Sequence, residues 1–288
     1  MNLKISIVTP SYNQGSFLGE CIDSVLAQKY PRLEYVVMDG GSRDGSAAII
    51  RRRARSLHDF RIGPDGGQYH AINRGFALTT GCKADVMGWL NADDKYMPWA
   101  FALVAEIFSQ FPQVEWVSTL YPVLWGQEGL PHRTLERGKF SAAGFFLGEN
   151  CRRNHLQQES TFWRRSLWER AGGGLDARWS LAADFELWAR FFRHAHCYGV
   201  ATTLGGFREH PSQKTALRMN DYLKQADRIL DQQRQLLPSG FLLRHRLMFL
   251  LARMCGKRGY FRDRGWLAPD SYITYDRDKG WRIVGPVI

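Results

Sequence analysis

Val86-Met-Gly-Trp-Leu-Asn-Ala-Asp-Asp-Lys-Tyr96 is the stretch on which the fold turns. Its apolar run, Val86 to Leu90, predicts a short buried strand. The strand runs out into Asn91, Asp93 and Asp94. Oxygen-bearing side chains at the carboxyl end of a strand lie where open α/β sheets bind ligands. Two adjacent carboxylates repel and are costly to desolvate unless a cation or donors compensate. A hard divalent ion such as Mg²⁺ or Mn²⁺ takes oxygen ligands, commonly one or two carboxylates plus substrate phosphates. The stretch therefore reads as a metal–diphosphate site. It reads equally well as a helix start, with Asp93 or Asp94 capping a helix that begins near Pro98.

Upstream, Leu3 to Thr9 is a β-branched-rich strand followed by the turn-rich Pro10-Ser-Tyr-Asn-Gln-Gly15. Ser16 to Gln28 predicts a helix with Phe17, Cys21, Ile22, Val25 and Leu26 on one face. Leu33 to Met38 predicts a second strand, ending at Asp39-Gly-Gly-Ser-Arg-Asp-Gly45, and Ser46 opens the next helix. Strand–helix–strand–helix from the first residues predicts an α/β fold with a mostly parallel, doubly wound sheet. Asp39, at a strand end beside glycines, suits a ribose hydroxyl or a base edge, and suits a plain Asp/Gly turn as well. There is no G-x-G-x-x-G after the first strand and no G-x-x-x-x-G-K-[ST], which argues against dinucleotide enzymes and P-loop NTPases. Pro64-Asp-Gly-Gly67 is a further turn, and Gln68 to Thr79 a further helix.

Downstream, Pro98 to Phe111 predicts a helix and Val114 to Leu120 a strand. Tyr121 to Asn154, rich in Gly, Pro and aromatics, reads as loop with short pieces. Gln157 to Trp163 is a candidate strand, Arg165 to Arg170 a helix, and Ala182 to Phe192 a helix with Asp184 and Glu186 near its start. First-turn acids are ordinary there, because the helix dipole stabilises them. Tyr198 to Leu204 predicts a strand, Gly206 to Thr215 a polar loop holding His210, and Asn220 to Gln235 a polar helix. Phe241 to Met254 puts Leu243, Leu247, Leu250, Leu251 and Met254 on one face, with Arg246 and Arg253 beside it. With Lys257, Arg258, Arg262 and Arg264 this is a basic amphipathic segment. It reads either as packing onto the main domain or as an interfacial helix on an anionic membrane. The tail from Trp266 to Ile288 carries no legible motif.

The 288 residues are 44% hydrophobic and 23% charged, enough for one large domain with its own core. The formal net charge of +11 points to anionic partners: nucleotides, nucleic acid or an acidic membrane face. The five cysteines are scattered without a C-x-x-C pair, against zinc and a disulfide framework, so a reducing compartment is expected. The first residues lack a signal-peptide pattern, and no apolar run is long enough to span a bilayer.

The spaced motifs together resemble the family-2 inverting glycosyltransferases of GT-A fold, of the kind found in bacterial surface polysaccharide biosynthesis. The matching pieces are Val8-Thr-Pro-Ser-Tyr-Asn13, Asp39 to Ser46, Pro64 to Gly75, Trp89-Leu-Asn-Ala-Asp-Asp94, Gln157 to Thr161, Ala183 to Trp188 and Phe207 to Thr215. They stand in family order over residues 3 to 215. Asn91 stands where many members have Asp, and Asn still accepts hydrogen bonds from a ribose.

The resemblance implies transfer of a sugar from a nucleotide-diphosphate donor to an acceptor hydroxyl, with inversion and with Mn²⁺ or Mg²⁺. It implies donor contacts from Thr9, Pro10, Tyr12, Asp39, Asp65, Gln68, Asn91 and Asp93. Asp94 is the expected metal ligand, with His210 as a second. Asp184 is the expected general base, with Gln158 and Glu186 on the acceptor side. The acceptor implied is a glycan or lipid-linked glycan. Residues 1–215 form the expected transferase domain, with a nucleotide-sugar-binding half (1–115) and an acceptor half (116–215). Residues 216–288 form a helical, basic extension. Phe207 to Thr215 and Phe140 to Asn154 are the expected closing loops. A cytoplasmic protein touching the inner membrane face follows, with no specific nucleic acid. The alternatives are a sugar-phosphate nucleotidyltransferase, whose basic glycine-rich loop is missing after the first strand, and a basic nucleic-acid-binding protein, whose motifs are missing.

Overall fold

The computed structural model describes residues 3–83, 85–136, 140–148, 155–254 and 271–285. It opens with β1 (Ile5–Ser11), α1 (Gly15–Leu26), β2 (Leu33–Asp39), α2 (Ser46–Arg53), β3 (Asp59–Ile62), α3 (Gln68–Ala77) and β4 (Val86–Trp89). The middle holds β5 (Lys95–Tyr96), α4 (Ala100–Gln110), β6 (Trp116–Thr119), β7 (Val123–Trp125), β8 (Pro131–Thr134), α5 (Ala142–Phe146), β9 (Thr161–Arg164) and α6 (Arg165–Arg170). It closes with α7 (Ala183–His194), β10 (Cys197–Val200), β11 (Gly205–Arg208), α8 (Lys214–Arg234), α9 (Phe241–Met254), β12 (Tyr272–Asp276) and β13 (Gly280–Val284).

The main sheet runs β13-β12-β10-β6-β9-β4-β1-β2-β3. The β3-β2-β1-β4 half is parallel, as the alternating pattern requires. β9 enters antiparallel between β4 and β6. Every residue of β1 is buried, because the strand is flanked on both edges and covered on both faces. α1 turns Leu18, Cys21, Ile22 and Val25 inward, the i, i+3, i+4, i+7 stripe of a surface helix. A smaller sheet, β5-β11-β7-β8, ties the segment after β4 to the late part of the chain. Trp89 stacks on Trp188 with ring centroids 5.7 Å apart, and Trp188 stacks on Trp116 at the same separation, forming an aromatic floor under the strand ends.

Four expectations change. Helix α4 begins after Trp99 with no side-chain cap, so neither Asp93 nor Asp94 caps it. The stretch 121–154 is less open than its composition suggests: it supplies β7, β8 and α5. Phe145 and Phe146 of α5 are fully buried, and Phe145 stacks on Phe185 at 4.5 Å. That part is core, not a closing loop, and residues 149–154 lie outside the described residues. The boundary at 215 falls inside α8, and the extension beyond 216 is not wholly helical. β12 pairs parallel with β10 and β13 antiparallel with β12, so the unread tail completes the sheet edge. Cys151, Cys255, Lys257, Arg258, Arg262, Arg264 and Trp266 lie outside the described residues.

Candidate active site

β1, β2 and β4 lie side by side in register, with Val8 opposite Val36 and Trp89, so their carboxyl ends deliver loops to one place. Pro10, Ser11, Tyr12, Gly40, Asn91 and Asp93 line a cavity of about 450 Å³ there, together with Asp65, Gln68 and Lys214. A second cavity of about 320 Å³ adjoins it, and Gln68, Asn91, Phe207 and Lys214 line both. Asp184 lines the second cavity, with Tyr69, Trp89, Gln158, Arg133 and Tyr222.

Asn91 is the hub between the two. Its Oδ1 accepts from Gln68 Nε2 at 2.9 Å, and its Nδ2 donates to Gln158 Oε1 at 3.0 Å. Gln158 Nε2 donates to the Trp89 carbonyl at 2.6 Å, which fixes its own orientation. The buried Ser11 hydroxyl on the first cavity's wall has no hydrogen-bond partner among the described residues, leaving a polar group for a ligand to satisfy.

Asp93 and His210 meet across the chain. Asp93 Oδ2 stands 3.1 Å from His210 Nε2, while His210 Nδ1 lies 2.8 Å from Ser212 Oγ. The His210 ring rests on Phe17, centroids 4.6 Å apart. The pair offers one carboxylate and one imidazole, donors that suit Mn²⁺ and Mg²⁺ to different degrees. Among the described residues no third His, Cys, Asp or Glu joins them. Such ions commonly take their remaining ligands from substrate phosphates and water, so the residues fit an ion held partly by the substrate.

Asp94, the expected first ligand, is turned away. It is buried, lines neither cavity, and its Oδ1 accepts from the Arg208 backbone N–H at 2.9 Å. Burial pushes its carboxyl well above the ordinary range, with the charges of Asp93 and Glu159 adding to the effect. Ala92 and Asp93 form a turn closed by the Asp94 N–H donating to the Asn91 carbonyl at 3.1 Å, and the turn leaves Asp93 facing the cavity while Asp94 ties β11 to it. Arg208, which the sequence did not single out, clamps the same turn. Its Nε donates to the Asp93 carbonyl at 2.7 Å, Nη1 to the Gln127 carbonyl at 2.9 Å, and Nη2 to Glu20 at 2.5 Å.

Asp184 sits half-buried in the first turn of α7, its Oδ1 accepting from Phe185 N–H at 2.8 Å. Burial pushes its carboxyl up to about 6, against the pull of the backbone donors. Glu186 is a correction: 200° round the helix from Asp184, it pairs with Arg190, whose Nη2 reaches Oε2 at 2.8 Å. It lines neither cavity. Thr9 and Asp39 also stand behind the wall. Thr9 bonds Tyr35 Oη at 2.9 Å, and Asp39 accepts from Gly41 N–H, Ser42 N–H and Ser42 Oγ of its own loop. The sequence also left Lys214, Arg133 and Ser11 unassigned. Lys214 donates to Gln68 Oε1 at 3.1 Å, and burial holds its ammonium below the usual lysine range, opposed by Asp93 and Asp65. Its membership of a polar loop was the only signal.

Residues 6–160 match the family described as glycosyl transferase family 2, more than half of the chain. An uncharacterized glycosyltransferase of Mycobacterium tuberculosis is 31% identical over 189 residues, 63% of this chain and 66% of that protein. The chain spans 33% to 66% of the length of the first curated relatives it matches. Staphylococcus aureus TarS 1-349 in complex with UDP-GlcNAc superposes with a TM-score of 0.65 at 14% identity, covering 92% of this chain and 75% of that one. The mannosyltransferase PcManGT of Pyrobaculum calidifontis, in complex with GDP-Man and Mn²⁺, does so at 0.56 and 17%, covering 89% and 82%. At those identities the likeness is one of fold, and the fold is GT-A. With the expected motifs lying on the carboxyl ends of its strands, the chain belongs to glycosyl transferase family 2.

Proposed function

We propose that the protein transfers a sugar from a nucleoside-diphosphate donor to an acceptor hydroxyl, with inversion at the anomeric carbon and with Mn²⁺ or Mg²⁺ bound. One observation carries this reading: two adjoining cavities, one bearing Asp93 beside His210 and the other Asp184, share the walls Gln68, Asn91 and Lys214. The donors bound in the two structural neighbours, UDP-GlcNAc and GDP-Man, agree with a nucleotide sugar.

The first cavity takes the donor. Pro10, Ser11, Tyr12, Asp65 and Gln68 meet the base and ribose, the Ser11 hydroxyl gaining the partner it lacks. Thr9 and Asp39 act through the loops they hold rather than by contact. Asp93 and His210 would hold the metal, which supplies positive charge where the leaving diphosphate becomes more negative. Lys214 adds a second cation there. The second cavity takes the acceptor, a glycan or lipid-linked glycan of surface polysaccharide synthesis. Residues 1–115 supply most of the donor side, joined by His210 and Lys214, and residues after 116 supply most of the acceptor side, joined by Gln68, Tyr69, Trp89 and Asn91.

Asp184 accepts the acceptor's hydroxyl proton as that oxygen forms its bond to the anomeric carbon. The bond from that carbon to the diphosphate oxygen breaks, and its electron pair leaves with the nucleoside diphosphate. Attack opposite the leaving group inverts the centre. Gln158 and Asn91 keep the seam between the cavities ordered, so the two substrates meet in one geometry. Closing of the short segment 209–213, between β11 and α8, over the donor would exclude the water that competes for the same carbon.

The test is binding and turnover across a panel of nucleotide sugars with Mn²⁺, Mg²⁺ or EDTA. The expected result is one donor bound only with metal, lost in Asp93→Ala, and bound without turnover by Asp184→Asn. Absence of binding to every sugar nucleotide would end the proposal.

A further inference from the structure

Ten large apolar side chains are exposed among the described residues, and six lie between 217 and 250: Leu217, Met219, Leu236, Leu243, Leu247 and Leu250. The last three stand at i, i+4 and i+7 of α9, one stripe of the helix, and are 62%, 51% and 52% exposed. The opposite side already has its partner. Phe241 and Leu242 pack against the core cluster that contains Phe145 and Phe146 of α5. The stripe is therefore surplus to what holds the helix on the protein. Beside it, Arg244 and Arg246 point into solvent. The sequence from 232 to 262 holds seven Lys and Arg and neither Asp nor Glu.

We propose that α9 is an interfacial helix that seats the protein on an anionic lipid bilayer. An apolar stripe rimmed by arginines buries its leucines at the headgroup boundary while the guanidinium groups meet anionic headgroups. Among the described residues no helix is long and apolar enough to cross a membrane, so the helix lies on the surface. A second copy of the chain is a poorer occupant, since a two-fold contact through the leucine stripe would set Arg244 and Arg246 against their own copies. Nucleic acid would use the arginines and leave the leucines wet. The proposal rests on α9 and its charge, not on the transfer reading.

The experiment is co-sedimentation of the full chain with phosphatidylcholine vesicles and with vesicles also containing phosphatidylglycerol, over a salt series. Two variants run beside it: Leu243→Ser with Leu247→Ser and Leu250→Ser, and Arg244→Glu with Arg246→Glu. The expected result is partition onto the anionic vesicles that weakens with salt, and a loss of about tenfold or more in each variant. Thermal melts and nucleotide-sugar binding of the variants should stay as in the parent. Binding to neither vesicle, or equal binding by parent and variants, overturns the proposal. So does a dimer in sedimentation equilibrium that the triple serine variant dissolves while vesicle binding is absent. Vesicle binding with no binding of any sugar nucleotide would count against the transfer reading alone.

Discussion

Asp93 and His210, 117 residues apart, meet at 3.1 Å on the edge of the first cavity, while Asp94, the neighbour of Asp93, faces the interior and holds β11. Two adjacent carboxylates thus have opposite surroundings and should answer to substitution differently. Asp93→Ala and His210→Ala are expected to weaken metal-dependent donor binding by about 10-fold to 100-fold, Asp93→Ala with little change in stability and His210→Ala with some loss, since its buried ring packs on Phe17. Asp94→Ala should instead lower stability, because the Arg208 amide loses its partner. Calorimetric titration of Mn²⁺ with donor, paired with urea denaturation, separates the two effects.

Asp184 gives a prediction in which activity and stability move apart. Its carboxyl is raised to about 6 by burial, so the folded protein binds more protons than the unfolded chain between about pH 4 and 6. Stability from this group is therefore greatest below the unfolded value and is lost as pH rises through about 6. At pH 8 the cost approaches about 3 kcal/mol, from 1.36 kcal/mol per unit. Asp184→Asn should raise the urea midpoint at pH 8 and change it little at pH 4, while lowering turnover at least about 100-fold. In the parent, turnover should fall as pH drops through about 6.

Arg208 is a buried cation whose three partners come from three parts of the chain: Glu20, Asp93 and Gln127. Arg208→Met keeps the apolar stem and leaves two carbonyls without their donor. A loss of about 2 to 3 kcal/mol is expected in chemical denaturation. Donor affinity should also fall, since the Asp93 turn loses its clamp. Glu20→Gln should cost less, because that carboxylate is 44% exposed and solvent screens it.

Gly75 sets helix propensity against packing. Alanine is favoured over glycine inside a helix by about 1 kcal/mol. A Cβ at Gly75 would lie 2.5 Å from Val8 Cγ1 and 3.1 Å from Met38 Cγ, both in the buried sheet. Packing should win: overfilling a tight core costs about 1 to 3 kcal/mol, so Gly75→Ala is expected to destabilise. Equal or greater stability would mean that α3 can move off β1.

Local pattern carried most of the first hundred residues. The stripe of Leu18, Cys21, Ile22 and Val25, the buried runs of β1, β2 and β4, and the turns at 39–45 and 64–67 are short-range features, and their alternation permits few topologies. The same information placed Asp184 in the first turn of its helix. The stretch 121–154 and the tail gave no such signal. Three- to five-residue elements have no readable period, and a strand such as β12 exists only because β10 offers it an open edge.

Short-range pattern was enough for the α/β class, the order of the motifs, the strand end that carries Asn91 and Asp93 and the helix start that carries Asp184, because each depends on residues a few positions apart. Only the tertiary structure decided which of two neighbouring aspartates faces the cavity, that His210 joins Asp93 and not Asp94, that Glu186 belongs to Arg190, and that Lys214 and Arg208 belong to the site. Those choices are fixed by partners 4 to 188 residues away in the chain, and side-chain direction follows the partner rather than the local pattern.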